Sequence, residues 1–369
     1  MLRGFARRNK LEYNAELQLS LLVLLSLRQK TYPPPQKSFS TLEQLKNAVD
    51  NIASLNRPLY WVTLGGGEPT THPHLFDLID MLHQKLGNRL NNVRIITNGS
   101  RNKTFYEKIA ELSNSLYFIM TISIHTDHVN LSTLSHILEL IENLSRNVTM
   151  DFSLMFNPDK RELSHEIYGI MYEYRKKYRF TMSIFTLRDG DSVDSRYTPE
   201  DFAWQKQAIK EFNDLARATA DKIPMTKRLG KNWTELWGYI IRDVEEVNGE
   251  IKTVRAGNRN LELADGLLRY KDMYCTANAS VLYIEPDGRC RGMVCSDDPL
   301  VYNLYEKNCF DSIRDKLIHP VKCKHNICGC GVNDVIPKFA SEEAAKKFVE
   351  FAQGRQSALF DEYLGIAKK

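Results

Sequence analysis

The sequence predicts an α/β fold, a partial (β/α)6 TIM-like barrel followed by a small hairpin-plus-helix cysteine-rich domain, and three observations carry that expectation. From Leu59 to about Phe185, short β-rich runs alternate with helical patterns, the texture of a parallel sheet covered by helices. One of those runs ends in Gly65-Gly66-Gly67-Glu68-Pro69 just before a helical stretch. Glycines there let backbone N–H and C=O groups approach a small ligand closely. All seven cysteines lie between Cys275 and Cys330, a concentration that reads as a metal or cluster site better than as structural disulfides.

The elements follow in order. Met1 to Lys10 is basic and Leu17 to Leu27 is apolar, an arrangement shared with signal peptides. Glu12, Asn14, Glu16 and Gln18 interrupt it, and no small-residue cleavage site follows. The apolar run is too short to span a bilayer, so a cytoplasmic chain with no membrane partner is expected. A strand at Lys10–Asn14 opens the barrel, and a helix at Ser40–Leu55 follows. Further strands are expected at Tyr60–Leu64, Val93–Thr97, Tyr117–Ile124, Val148–Met155 and Thr181–Leu187. Between them come helices at Pro73–Leu86, Thr104–Ser113, Leu131–Leu144 and Leu163–Tyr178. Six such units make a partial barrel over residues 8–200, and ligands of such folds collect at the C-terminal ends of the strands.

The break at Gly190–Pro199 leads into a polar, mainly helical connector over 201–269, where Trp233, Trp237 and Tyr239 stand at the spacing of core residues. Val281–Ile284, the Pro286-Asp287-Gly288 turn and Arg289–Val294 read as a hairpin. It belongs to a cysteine-rich unit over 270–340, and 341–369 reads as a C-terminal amphipathic helix. The net charge of +4 on 369 residues is dispersed and too weak to argue for nucleic acid.

The Leu64 to Pro69 turn resembles the GGEP signature of radical S-adenosylmethionine (SAM) enzymes, in which this turn grips the amino group of SAM. The likeness extends along the chain, because later strand ends carry matching motifs in the family's order. Thr97-Asn98-Gly99 resembles the family's TNG, and Ser123-Ile124-His125 falls where members place polar groups near the SAM ribose and carboxylate. Met155 with Asn157, and Leu187 with Arg188, fall near the expected adenine. The resemblance therefore implies SAM contacts from Gly65, Gly66, Gly67, Glu68, Asn98, Ser123, His125, Met155, Asn157 and Leu187. His72 and His74 sit two apart and so do not share a helix face, which reads as structural, whereas His125 and His128 stand at a strand end with Asp127 positioned to orient either.

The chain departs from the family at the core [4Fe–4S] cluster, which members hold with a C-x3-C-x2-C motif after the first strand. The aligned positions are Ala15, Leu19 and Leu22, and none of these offers a donor to iron. Without that cluster the chain is not expected to cleave SAM reductively, and the larger apolar side chains are expected to fill the vacated space. The C-terminal cysteines resemble the family's SPASM or twitch extension, which binds an auxiliary [4Fe–4S] cluster. The resemblance implies ligands among Cys275, Cys295, Cys323, Cys328 and Cys330. The family's hairpin cysteine would fall on Met293, so Cys290 and Cys295 stay open as alternatives. A four-coordinate zinc site and free thiols remain as rivals, and Cys309 reads as a buried thiol.

Two functions follow from the resemblance. The first is a radical SAM family protein related to enzymes that modify a peptide, protein or small metabolite by hydrogen abstraction, inactive in SAM cleavage as written. The second is a pseudoenzyme that binds a peptide or a partner protein.

Overall fold

The computed structural model describes residues 20–26, 39–57, 59–129, 131–189, 192–219, 241–247, 250–256, 270–276, 281–291, 302–311, 319–325 and 338–346. Six parallel strands run side by side: β1 (Ser20–Ser26), β2 (Leu59–Gly65), β3 (Leu90–Thr97), β4 (Phe118–His125), β5 (Thr149–Phe156) and β6 (Thr181–Thr186). Helices α1 (Leu42–Ser54), α2 (Leu75–Leu86), α3 (Lys103–Leu112), α4 (Leu131–Leu144) and α5 (Arg161–Arg175) alternate with them, and α6 (Pro199–Ala218) follows β6. This is the partial TIM-like barrel expected from the alternation. Capping boxes start α1, through Thr41 and Gln44, and α6, through Thr198 and Asp201. Each satisfies backbone donors that a helix start leaves unpaired.

Alternation along the strands separates two faces. Tyr60, Val62, Leu64, Val93, Ile95, Met120, Ile122, Ile124, Phe152 and Leu154 are fully buried in one cluster with Leu45, Ile52, Leu78 and Leu82 of the helices. The residues between them in sequence face the concave side.

The first strand lies later than expected. β1 occupies Ser20–Ser26, within the apolar Leu17–Leu27 run, whereas Lys10–Asn14 lies outside the described residues. Here β2 lies on one side and β12 (Val281–Ile284) on the other, with Leu22 opposite both Trp61 and Val281.

The expected hairpin forms, β12 with β13 (Arg289–Arg291), and joins the barrel sheet itself. The order runs β14 (Tyr302–Asn303), β13, β12, then β1 to β6. Gly288 takes φ +85° in the turn, and a Cβ there would lie 2.3 Å from Asn303 Oδ1, so only glycine fits. The segment after β14 docks on α1: Asn51 Nδ2 donates to the carbonyls of Leu304 (3.0 Å) and Glu306 (2.7 Å), and Asn47 Nδ2 to that of Tyr305 (2.9 Å).

The mainly helical connector is corrected in its second half. β9 (Ile241–Val247) and β10 (Glu250–Ala256) pair antiparallel across Asn248-Gly249, a dipeptide typical of tight hairpins. They belong to a five-stranded sheet with β11 (Tyr274–Cys275), β15 (Val321–Lys322) and β16 (Lys338–Phe339), in the order β10-β9-β16-β11-β15. Trp233, Trp237 and Tyr239 lie outside the described residues, as does most of the expected C-terminal helix. Among the described residues no helix is long and apolar enough to cross a membrane.

Candidate functional site

Because β1 to β6 are all parallel, their C-terminal ends meet at one rim, and the expected SAM-contact residues fall on it. Gly65 ends β2, and Gly66 and Gly67 follow with φ of 80° and 57°, the left-handed region that favours glycine. Gly67 is exposed, and Gly65 and Gly66 are half-buried, leaving backbone groups reachable.

Glu68 is buried and turned into the protein. Its Oε1 accepts from Thr70 N (3.1 Å), Thr70 Oγ1 (2.6 Å) and Thr97 Oγ1 (2.8 Å), and its Oε2 from Asn98 N (2.8 Å). The carboxylate thus caps the helical turn Pro69–Thr71 and ties the end of β2 to the end of β3. Bonds to an ionised acceptor are among the stronger ones, so this side chain sets the shape of the turn, and the glycine backbone is what it presents outward. Sequence reasoning missed Thr70 and Thr97 as its partners, although Thr97 lies in one motif already singled out and Thr70 directly follows another.

Next along the rim, Asn98 is exposed, and its Oδ1 accepts from Ser100 N (2.9 Å). His125 is exposed at the end of β4, its ring 6.4 Å from that of His128. The expected orienting role of Asp127 gives way to another: its carboxylate accepts from Asn157 Nδ2 (2.9 Å) and pairs with Lys160 Nζ (3.6 Å). Asn157 is buried, and its Oδ1 caps the turn Pro158–Lys160 through Asp159 N (2.9 Å). These bonds lock the ends of β4 and β5 together. Met155 is half-buried one layer below. Leu187 N donates to Tyr197 Oη (2.8 Å), and that hydroxyl donates to the Phe156 carbonyl.

His72 and His74 are structural, as their spacing implied. His72 Nδ1 accepts from His74 N (3.1 Å), and His74 Nδ1 bonds Asp77 Oδ2 (2.9 Å). Burial, with His74 adding a smaller effect, lowers the His72 pKa to about 4, so the ring is neutral at ordinary pH.

The concave face carries a polar set that sequence reasoning passed over. Arg94 of β3 donates from Nε to Thr121 Oγ1 (2.7 Å) and from Nη2 to Asp151 Oδ2 (2.6 Å). Thr181 Oγ1 donates to Asp151 Oδ1 (2.8 Å). Burial raises the Asp151 carboxyl above its ordinary range in spite of Arg94. The signal was the period-two polar pattern Thr121-Ser123-His125, Asp151-Ser153 and Thr181-Ser183.

The positions aligned with the core cluster are corrected in part. Leu22 lies mid-strand in β1, not in a loop after it, and Ala15 and Leu19 lie outside the described residues. The connection from β1 to α1 begins after Ser26. Its residues 27–41 contain no cysteine, and neither do the first 274 residues as a whole. These residues do not fit a thiolate-held cluster.

Of the distal cysteines, Cys275 is buried in β11, and Cys323 follows β15, the strand paired with it. Met273 O accepts from Cys323 N (2.7 Å). Cys290 is in the barrel sheet, buried in the main core, with its Sγ donating to Tyr302 Oη (3.2 Å). Cys309 is half-buried, and burial, reinforced by Glu306, pushes its thiol up to about 12, consistent with an inert thiol. Cys295, Cys328 and Cys330 lie outside the described residues, and among the described ones no three potential ligands converge.

Residues 28–163 match the family model described as the Radical SAM superfamily. No curated protein matches the chain. The solved structure described as native anSMEcpe with bound AdoMet is similar at a TM-score of 0.50 and 15% identity, covering 93% of this chain and 100% of that one. Native anSMEcpe with bound AdoMet and Cp18Cys peptide is similar at 0.50 and 13%, covering 81% and 82%. At such identities the likeness speaks for the fold.

Proposed function

We propose that this chain is a radical SAM family protein that binds SAM across the rim, takes a peptide or small-molecule substrate into the barrel, and does not cleave SAM reductively. One observation carries the reading. Six parallel strands bring Gly65–Gly67, Asn98, His125, Asn157 and Leu187 to one edge, whereas residues 1–274, which contain all six strands, include no cysteine. A peptide is the first candidate because a structure of similar fold was solved with one.

In this reading the glycine backbone of 65–67 receives the polar end of SAM, and Glu68 holds that backbone in shape. Asn157 and Asp127 keep the neighbouring strand ends in place. A core cluster would supply the electron for cleaving the sulfonium bond, and the residues present do not fit one. At the far end of the chain, Cys275, Cys295, Cys328 and Cys330, with Cys323 as the next candidate, supply the four thiolates for an auxiliary [4Fe–4S] cluster.

The test is a SAM titration of anaerobically prepared protein, an iron count, and an assay for 5′-deoxyadenosine under reduction. Saturable SAM binding, about four irons per chain and no 5′-deoxyadenosine are expected. Release of 5′-deoxyadenosine would overturn the inactive reading. Failure to bind SAM would leave the pseudoenzyme that binds a peptide or partner protein.

A further inference from the structure

The two ends of the barrel carry opposite charge. The connections at the rim, residues 66–74, 98–102, 126–130, 157–160 and 187–198, contain six Asp or Glu and four Lys or Arg. At the other end each helix returns to the next strand through residues 55–58, 87–89, 113–117, 145–148 and 176–180. These connections contain Arg57, Arg89, Arg146, Lys176, Lys177 and Arg179, and not one acid. The strands they enter, β2 to β6, are parallel neighbours spaced by about 4.8 Å, so the fields of adjacent connections overlap within a Debye length of about 8 Å.

Packing gathers these cations around the middle of the face. Arg89 lies over the Tyr60 ring (5.7 Å) and donates to Asn56 Oδ1 (2.9 Å). Burial raises the Tyr117 phenol, and its bond to Thr149 and then the charges of Arg179 and Arg94 pull it back. Cations of β3 and of the entry to β6 thus act on a residue at the entry to β4. Arg146 and Lys177 are exposed and take part in no ion pair among the described residues.

Local needs do not account for the set. Cations complement a helix C-terminus when they stand in its last turn, yet α1, α3 and α4 have no basic residue there. Arg175 of α5 fills that role, its Nη groups donating to the carbonyls of Tyr178 (3.3 Å) and Ala216 (3.2 Å). Lys176 pairs with Glu173 of its own helix. As a set, the connections bring like charges together, a repulsion that a partner of opposite charge relieves.

The face also narrows the partner. Its arginines stand with half-buried Tyr117 and with Tyr178, whose ring stacks on Tyr174 at 5.8 Å. Arginine and tyrosine are the residues that most often anchor protein interfaces. A bilayer takes up apolar side chains, and the exposed large hydrophobics of the described residues, Leu42 and Ile96, lie at the start of α1 and on the concave face. A nucleic acid would lay phosphates across the whole face, where Glu111, Glu142 and Glu173 stand exposed close to the helix ends.

We propose that this face is a docking surface for an acidic protein partner, whose carboxylates meet the arginines and lysines of the helix-to-strand connections. It lies at the opposite end of the strands from the rim and stands whether or not SAM binds there.

Binding to the full chain is read with three probes: a labelled oligoglutamate peptide and a labelled DNA duplex by fluorescence anisotropy, and phosphatidylserine vesicles by co-sedimentation. Arg146→Glu with Lys177→Glu reverses two exposed charges of the face, and Arg101→Glu with Lys103→Glu makes the same change near the rim. The peptide should bind more tightly than the DNA or the vesicles, and less tightly as salt rises. The first pair should weaken it about tenfold, and the second less than about twofold. Arg146→Gln with Lys177→Gln repeats the measurement should the reversed protein fail to fold. No peptide binding, indifference to the first pair, or an equal loss from both pairs would overturn the proposal, as would tighter binding of the DNA or the vesicles. SAM is titrated into the same samples and should bind the Arg146 and Lys177 variants as it binds the wild type. Its binding judges the proposed function, and the peptide alone judges this face.

Discussion

The two faces of the same six strands differ in kind. The helix-facing side is a closed surface of aliphatic and aromatic side chains, of which Tyr60, Val62, Phe152 and Phe156 are fully buried. The concave side alternates serine, threonine, asparagine and one arginine–aspartate pair, and several of these groups are partly open to solvent. Neighbours in one strand thus do opposite work. Phe152 earns stability by leaving water, whereas Ser153, one residue on, contributes little to the core and has no hydrogen-bond partner for its hydroxyl among the described residues. The difference teaches that the strand pattern was not shaped by packing alone.

Substitutions on either side sharpen that contrast. The largest effect is expected from Phe152→Ala, about 3–5 kcal/mol of lost stability in urea denaturation, against less than about 0.5 kcal/mol for Ser153→Ala. Equal losses at the two positions would end the distinction between faces.

Asp151→Ala comes next. It leaves Arg94 without its carboxylate in a partly covered lumen and should cost about 2–3 kcal/mol, with much of the loss recovered when Arg94→Met is added. A double variant as unstable as the single one would show that the pair stabilises the fold outright.

A buried titrating group follows the rim turn Pro69–Thr71. Because the pKa of His72 falls to about 4 in the fold, the unfolded chain binds its proton more readily. The stabilisation is therefore complete above about pH 6.5 and is lost as pH falls toward 4. Between about pH 7.5 and pH 4.5 the chain should lose roughly 2–3 kcal/mol through this residue. His72→Phe should flatten that slope, and an unchanged slope would exclude His72 as its source.

The smallest effect belongs to the rim. Gly67→Ala forces a Cβ into φ 57° and should cost about 1 kcal/mol, with a larger proportional loss in SAM binding by titration calorimetry.

Much of the barrel was legible in the sequence because its signals are local. The runs at Val93–Thr97 and Val148–Met155 fall within β3 and within one residue of β5, and Leu131–Leu144 is α4 to the residue. β1 was misplaced by about ten residues. The strand that pairs with it, β12, lies more than 250 residues away, so no local pattern marks where it begins. The β9–β10 hairpin was missed because the helical texture before it outweighed the Asn248-Gly249 signal. At the site, the glycine turn and the strand-end motifs were readable as motifs. The inward role of Glu68 was not, because its acceptors are filled by Thr97 and Asn98 on a different strand.

Residue order by itself determined the alternation of strands and helices, the conformational freedom of Gly66 and Gly67, and the lack of thiolates ahead of Cys275, since each is a property of a short stretch of chain. Tertiary structure decided which residues meet. Parallel pairing carried the ends of strands dozens of residues apart to one rim, and register set Ser123, Ser153 and Ser183 in a row. The joining of β12 to β1 placed the hairpin against the barrel and Cys290 in its core. Such meetings depend on distances across the sheet, which no local pattern encodes.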